Sequence, residues 1–384
     1  MTNHQPHGDG LAAYGFVSRL AERGHTVHVA APEIALRGAQ SRNLRLHPIK
    51  TVFKSTIPHR LEYMLRSRLL LNRLRRTEQI DVIHQLNPVN KGMSLAMIGS
   101  GLPVVLGVIV PSWPDDAEAV RLSWWQCSRD AIKRWIKNRL LTMQQWQASA
   151  LLLATPAARS NLHRAELVNH KIVHLPLGVD AERFAPAEAE PEELNILFLA
   201  NLWRRKGIFT LLEAFAQVAK QFPNCRLMIA GDGGERAEVE RLVRAAPHRA
   251  QITMLGGVTR AEVPDLLRRA AIYCLPSYGE PFANSVLEAM ACGKPIVLTA
   301  AGGIQEMMPD NGGRKVPPRD AQALAAALIE LLGSAELRAE MGRNNRLTVE
   351  TVYSWERVID RLEQVYDSLT ARELLQTMRS VQLS

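Results

Sequence analysis

An α/β chain of two doubly wound domains is the fold class this sequence predicts, and three observations carry the prediction. The 384 residues are enough for two domains at about 100–200 residues each. From residue 194 onward short apolar runs alternate with helix-patterned segments, the order that a parallel sheet with crossover helices requires. Between the halves stands AEAEPEE (187–193), acidic and Pro-containing, as linker ends are.

The N-terminal half reads in order as follows. A loop, HGDG (7–10), enters a helix over 11–24, and GHTVHVAAP (24–32) is a strand. Residues 54–76 interleave Lys54, Arg60, Arg66, Arg68, Arg73, Arg75 and Arg76 with leucines, the pattern of a basic amphipathic helix. IDVIHQLNP (80–88) is a strand ending in a polar loop, and His84 within it reads as structural. The most apolar run, LAMIGSGLPVVLGVIV (95–110), is broken by Gly and Pro, so it reads as a helix end, a turn and a buried strand, not as a membrane span. A helical region follows in which Trp124, Trp125, Trp135 and Trp146 stand among Arg129, Lys133, Arg134, Lys137 and Arg139, a membrane-interface composition. ALLLATP (150–156) is a strand, ARSNL starts a helix, and KIVHLPLGVDAERFAP (171–186) leaves the domain.

In the second half, LNILFLA (194–200) leads to NLWRRKG and a helix, CRLMIAG to the turn DGG and a helix from Glu235, and QITMLGGV to a helix over 261–270. The apolar AIYCLP (271–276) then opens the stretch around which the chain is organised, SYGEPFANSVLEAMACGKPIV (277–297). Ser277 to Pro281 form a tight loop, Phe282 to Cys292 are helical, and Gly293 with Pro295 stops the helix before the strand IVLTA. Glu280 therefore sits before a helix N-terminus at the carboxyl end of a strand, and Glu288 lies two turns into the helix. The N–H groups of Phe282, Ala283, Asn284 and Ser285, with the helix dipole, favour a phosphate. A carboxylate ahead of them can accept from sugar hydroxyls, and one deeper can take both hydroxyls of a ribose.

GEPFANSVLEAMACGKPIV closely resembles the donor-site signature of retaining glycosyltransferases with two Rossmann-like domains, the GT-B fold, of the glycogen-synthase-like group 4 type. The resemblance is strong over 194–369, weak over 1–180, and divides the chain into an acceptor-side domain (1–176), a nucleotide-sugar-binding domain (177–352) and a terminal helix crossing back to the first domain (353–384). It implies that Glu280 contacts the donor sugar and Glu288 the ribose. It aligns Lys206 with the lysine that grips the donor diphosphate; Asn201 replaces the family's arginine five residues earlier, with Arg205 placed to compensate. Gly231, in GDGG, matches the family's glycine turn, and Gly302 and Gly303, in AGGIQEMM, the segment that closes on sugar and phosphates. Gly8 and Gly10 are candidates for the glycine loop of the first domain. Relatives often carry a His where this chain has Ile109 and Val110, which leaves the acceptor side unassigned.

The implied reaction is retaining transfer of a sugar from a nucleotide-sugar donor to a glycan or lipid-linked acceptor. No Asp-x-Asp and no His/Cys cluster at metal-ligand spacing occurs, so neither a metal nor a cofactor is expected. Two rivals stand beside it: a sugar-nucleotide epimerase or phosphorylase on the same fold, and a non-catalytic protein that binds an anionic surface. The second rests on charge. Residues 1–180 hold 23 Lys+Arg against 12 Asp+Glu, whereas the remainder holds 24 against 26. An anionic membrane is the expected partner; no nucleic-acid module signature is present. A polar N-terminus without a signal-peptide pattern and the unpaired Cys127, Cys225, Cys274 and Cys292 suggest a reduced cytoplasm, with the last three as core thiols. Finally, a Rossmann-like domain begins with a central strand, and Met1 to Pro6 are too short and polar to supply it. The expectation is that this domain lacks its first strand and that the natural chain starts upstream.

Overall fold

The computed structural model describes the backbone of all residues except 4–7, 54–55, 87–91, 111–123, 189–190, 192 and 383–384, and in helices it leaves aside the side chains at 8–9, 56, 124–134, 137 and 372–382. Cys127, Trp124, Trp125, Lys54 and part of the acidic linker thus lie outside the described residues or side chains.

Helix α1 (Gly8–Glu22) begins three residues before the sequence suggested, so Gly8 and Gly10 lie in its first turn and not in a loop. The first N–H groups of a helix need no internal partner, so the turn propagates back from the helix-forming Leu11–Ala13 through the glycines. Next come β1 (Val27–Ala31) and β2 (Leu44–Pro48), a parallel pair in register Val27 to Leu44. Helix α2 (Thr56–Leu74) buries Ser67 and Leu71 and ties itself to β1 by the Tyr63 hydroxyl, which donates to the Ala30 carbonyl at 2.9 Å. Strands β3 (Ile83–Gln85), β4 (Val104–Ile109), β5 (Ala150–Leu153) and β6 (Ile172–His174) form a parallel sheet in sequence order, with α3 (Trp124–Gln147) before β5. β4 and β5 are buried throughout, as expected of runs without alternation. The segment at 156–161, expected as a helix, is a 3₁₀ turn closed by the Leu162 N–H on the Arg159 carbonyl at 3.1 Å. Pro156 can start such a turn but cannot supply its first N–H.

The strands of this half thus fall into two sheets, and no strand joins β1 to β3 among the described residues. Met1 and Thr2 lie elsewhere: the Ala35 N–H donates to the Met1 carbonyl at 2.9 Å, and Thr2 bridges Ala35.

The C-terminal half is one sheet with one core. β7 (Asn195–Leu199), α4 (Ile208–Gln221), β8 (Arg226–Ala230), α5 (Arg236–Ala245), β9 (Ile252–Gly256), α6 (Val263–Arg269), β10 (Ile272–Leu275), α7 (Asn284–Ala291), β11 (Ile296–Thr299) and β12 (Gly313–Val316) alternate as the pattern predicted. The spatial order is β12-β11-β10-β7-β8-β9, all parallel. Helices pack on it through 3.6-residue stripes; α4 buries Leu211, Phe215 and Val218. α8 (Ala321–Leu332) follows, its first turn capped by Asp320, whose carboxylate accepts from the Ala323 N–H at 2.9 Å. α9 (Ala335–Thr348) carries the buried Asn345, which donates to the carbonyls of Lys294 and Gly312 at 2.8 and 2.6 Å. Cys225, Cys274 and Cys292 are buried free thiols.

α10 (Trp355–Gln382) leaves this domain and lies on α1. Trp355, Val358, Ile359 and Leu362 pack with Phe16 and Leu20, and Arg23 bridges Asp360 and Glu363, each at 2.7 Å. His84 is half-buried beneath the same helix. Its Nε2–H donates to the Gly107 carbonyl at 3.1 Å, so Nδ1 accepts from the Tyr366 hydroxyl at 2.6 Å. Burial holds this imidazole down to about 4, and its two bonds tie β3 to β4 and to α10.

Candidate functional site

The strand order of the C-terminal sheet reverses between β7 and β10, so the chain leaves these neighbours in opposite directions and opens a crevice at their carboxyl ends. The loops after both strands converge there. The loop after β7 ends in a 3₁₀ turn, Arg204–Lys206, followed by Gly207 at φ +79°. A Cβ on Gly207 would stand 1.8 Å from the Pro276 carbonyl, so only glycine lets this loop lie against the end of β10. The Tyr278 N–H fastens the two loops by donating to the Arg205 carbonyl at 2.8 Å.

This contact delivers Lys206 Nζ to the Glu280 carboxylate, with which it forms a buried ion pair. A third loop, after β11, closes from the other side: the Ile304 N–H donates to the Glu280 carbonyl at 3.2 Å. Gly302 at φ +70° lets the backbones touch, since a Cβ there would be 2.4 Å from that same oxygen. Gly303 is buried beside it. Glu280 is only 4% exposed; burial pushes its carboxyl up, against the pull of Lys206 and then Arg205. The Arg205 guanidinium stacks 4.3 Å over the Trp203 ring.

Glu288 has its own partner. It is 7% exposed on α7, and Arg260 from the loop after β9 reaches its Oε1 at 3.2 Å. Burial raises this carboxyl too, opposed by Arg260 and then Arg183. Arg183, in the segment entering the domain, donates to the Arg260 carbonyl, and Phe184 lies 5.7 and 6.0 Å from the two guanidinium carbons. The site is thus two buried carboxylates, each matched to a cation from a different strand end.

α7 starts at Asn284, two residues later than expected, with Ala283 extended as its N-cap. Phe282 and Ala283 therefore belong to the loop. The Phe282 ring packs against the cores of both domains, which draws it out of the helical path. The Ser285 hydroxyl accepts from the Tyr273 hydroxyl at 2.7 Å, or donates to it, leaving the backbone of the helix start as the anion-facing part. Gly231 ends β8, its N–H donating to the Gly256 carbonyl at 2.7 Å. Arg236 stands where a dinucleotide fingerprint has its last glycine, and it pairs with Asp232 at 2.9 Å. The structure brings Lys206, Arg205, Glu280, Gly302 and Gly303 together and holds Glu288 on α7 against Arg260; it gives Gly8 and Gly10 no described contact with this group. Sequence reasoning missed Arg260, Arg183 and Gly207. The available signal was position, because VTRAE (258–262) also follows a strand's carboxyl end. Among the described residues no cluster of His, Cys, Asp and Glu could hold a metal ion.

Two family models divide the chain between them. Residues 10–183 match Glycosyltransferase Family 4 and residues 180–348 match Glycosyl transferases group 1. The MMP alpha-(1->4)-mannosyltransferase of Mycolicibacterium hassiacum is 26% identical over 400 residues, 95% of each chain. The phosphatidylinositol N-acetylglucosaminyltransferase gpi3 subunit of Schizosaccharomyces pombe is 28% identical over 65% of this chain and 55% of its own length. A GDP-mannose-dependent phosphatidylinositol monomannoside mannosyltransferase of Corynebacterium glutamicum is 31% identical over 51% of this chain and 56% of its own. The chain thus spans about half the length of the last two and nearly all of the first. In structure it resembles Anabaena HepE in complex with UDP (TM-score 0.73, 16% identity, 95% and 98% of the two chains). It also resembles sucrose-phosphate synthase of Thermosynechococcus elongatus (TM-score 0.69, 22% identity, 95% and 94%). These likenesses establish the two-domain GT-B architecture.

Proposed function

Because this chain belongs to the group 1, family 4 glycosyltransferases, we propose that it transfers a sugar from a nucleotide-sugar donor to a glycan or lipid-linked acceptor, with retention at the anomeric carbon. The observation that carries this reading is the buried Lys206–Glu280 pair at the switch point. A donor entering the crevice takes over both partners. Its diphosphate meets Lys206, and its sugar hydroxyls meet Glu280. Each buried charge has a partner before and after binding, so neither is left unpaired at the cost such a charge carries.

Glu288 accepts from both ribose hydroxyls, and Arg260 favours its ionised form against the opposing effect of burial. As the glycosidic bond breaks, positive charge grows on the sugar ring and negative charge on the leaving diphosphate. Lys206, Arg205 and the N–H groups at the start of α7 stand ready for the second of these. We propose that these cations do the work a divalent ion does elsewhere; activity should then persist in excess EDTA. The acceptor attacks from the face the diphosphate leaves, and the diphosphate helps to take its proton. Phe282 and the Glu306 carboxylate, which accepts from the Ala157 N–H at 2.9 Å, join the two domains beside the site.

The test is a panel of nucleotide sugars, read first by thermal shift and then by product mass. The expected result is one stabilising donor whose sugar reaches an acceptor, with both signals reduced in Lys206→Ala. A donor converted to an epimer, with no acceptor present, would assign the epimerase reading instead.

A further inference from the structure

Trp203 lies in the loop after β7, one of the loops that converge on the crevice, and it is 43% exposed. Its backbone is nonetheless held on both sides. The Leu202 N–H donates to the Asp232 carbonyl and the Glu235 N–H to the Leu202 carbonyl, each at 3.0 Å, which ties this loop to the one after β8. The Lys206 N–H donates to the Trp203 carbonyl at 2.8 Å and closes the 3₁₀ turn. Beyond it, the Tyr278 N–H holds the Arg205 carbonyl at 2.8 Å. An indole carried on such a backbone keeps a fixed direction although solvent reaches it.

The turn presents three cations in a row, and each is aimed by a different partner. The Arg204 guanidinium stacks 4.8 Å over the Phe209 ring, on the α4 side. Lys206 pairs with Glu280. Arg205 stacks 4.3 Å over Trp203. Adjacent residues of a 3₁₀ turn project about 120° apart, so the backbone that aims Lys206 at Glu280 does not by itself aim Arg205 there. Yet Arg205 is close enough to act on the same carboxylate: burial raises the Glu280 carboxyl, and Lys206 and then Arg205 oppose it. The indole supplies the missing direction. A guanidinium stacked by its face keeps its N–H donors in its own plane, along the edge, where phosphate oxygens meet them. It has also lost its rotamer freedom before a ligand arrives, so less is lost on binding. Asn201, at the end of β7, is uncharged, which leaves this turn to supply the loop's positive charge.

We propose that Trp203 is a positioning residue for glycosyl transfer: its ring holds the Arg205 guanidinium face-on, so that the edge donors meet the leaving diphosphate beside Lys206. This rests on the reading that the crevice takes a nucleotide sugar. Trp203 acts through Arg205, and the bond that breaks is the donor's own.

The experiment measures binding of UDP, GDP and ADP, and of the matching monophosphates, to the full chain by calorimetry. The parent should hold one diphosphate more tightly than its monophosphate. Trp203→Leu should weaken that diphosphate about three- to tenfold, the worth of one cation–π contact, and leave the monophosphate almost unchanged. Trp203→Phe keeps a ring and should recover most of the loss. In an Arg205→Gln background Trp203→Leu should have no further effect, since the ring then has no cation to hold. With the donor so identified, kcat at saturation should fall in Trp203→Leu as well, because the leaving diphosphate gains charge. Equal weakening of mono- and diphosphate, or a Trp203→Leu effect undiminished beside Arg205→Gln, gives the ring a merely structural role and overturns the proposal. So does a Trp203→Leu variant that binds the diphosphate like the parent. A parent that binds no nucleoside diphosphate overturns the donor reading itself, and the proposal with it.

Discussion

The two halves of this chain place their difficult groups on opposite sides. The C-terminal half puts charge inside: Glu280 and Glu288 are buried, each against a cation. The N-terminal half puts apolar surface outside, where most of the exposed large hydrophobic side chains are found. Their cores differ in the same sense. One continuous cluster fills the C-terminal domain, whereas the N-terminal strands belong to two sheets and several smaller clusters. Either arrangement costs stability that selection for folding alone would remove, since a buried charge and an exposed leucine are both expensive. In one half the stability cost falls on buried charge, and in the other on exposed apolar surface.

The sharpest way to break that contrast is Lys206→Ala. Turnover should fall by roughly 10²–10³, the loss typical of one group facing developing charge, as measured by kcat at saturating donor. A similar loss from Leu61→Ser/Leu65→Ser/Leu69→Ser in a soluble assay would show the halves are not divided in this way. Gly207→Ala comes next. Its Cβ meets the Pro276 carbonyl, so the β7 loop must shift; roughly 2–4 kcal/mol of stability should be lost in a denaturant titration.

His84 tests the N-terminal half from inside. Its folded value of about 4 lies below its ordinary 6.5, so the unfolded chain binds a proton in this window that the native chain does not. Stability is full above pH 6.5 and falls on acidification towards 4, by about 3 kcal/mol. His84→Gln should flatten that part of the pH profile. Glu288→Gln should raise the donor Kd about tenfold with kcat little changed, because a ribose contact is the same in ground and transition states. In the parent, burial raises both glutamates, so donor affinity should begin to fall on acidification above the ordinary glutamate value of about 4.3. The smallest effect sharpens the comparison most. Leu61→Ser/Leu65→Ser/Leu69→Ser should leave Tm nearly unchanged, within about 0.5 kcal/mol per site, because these side chains are mostly exposed.

The alternation of β7 to β12 with their helices is legible in the residues alone, because buried parallel strands are short apolar runs and crossover helices carry a 3.6-residue stripe. So is the placement of Glu280 and Glu288 in one strand–loop–helix unit, since that spacing is local. The basic and apolar periodicity of 54–76 was legible too. Which way that helix turns is set by its packing in the fold, because a stripe of leucines at helical spacing reads the same whether it faces a core or solvent. The fold decided the partners of the two glutamates as well. Lys206 lies 74 residues from Glu280, and Arg260 lies 28 from Glu288. Such pairs are set by which strand ends the sheet order brings together, and no local pattern records that order. The start of α7 at Asn284 was a tertiary decision for the same reason: Phe282 is held by two cores that its own neighbours in sequence do not form.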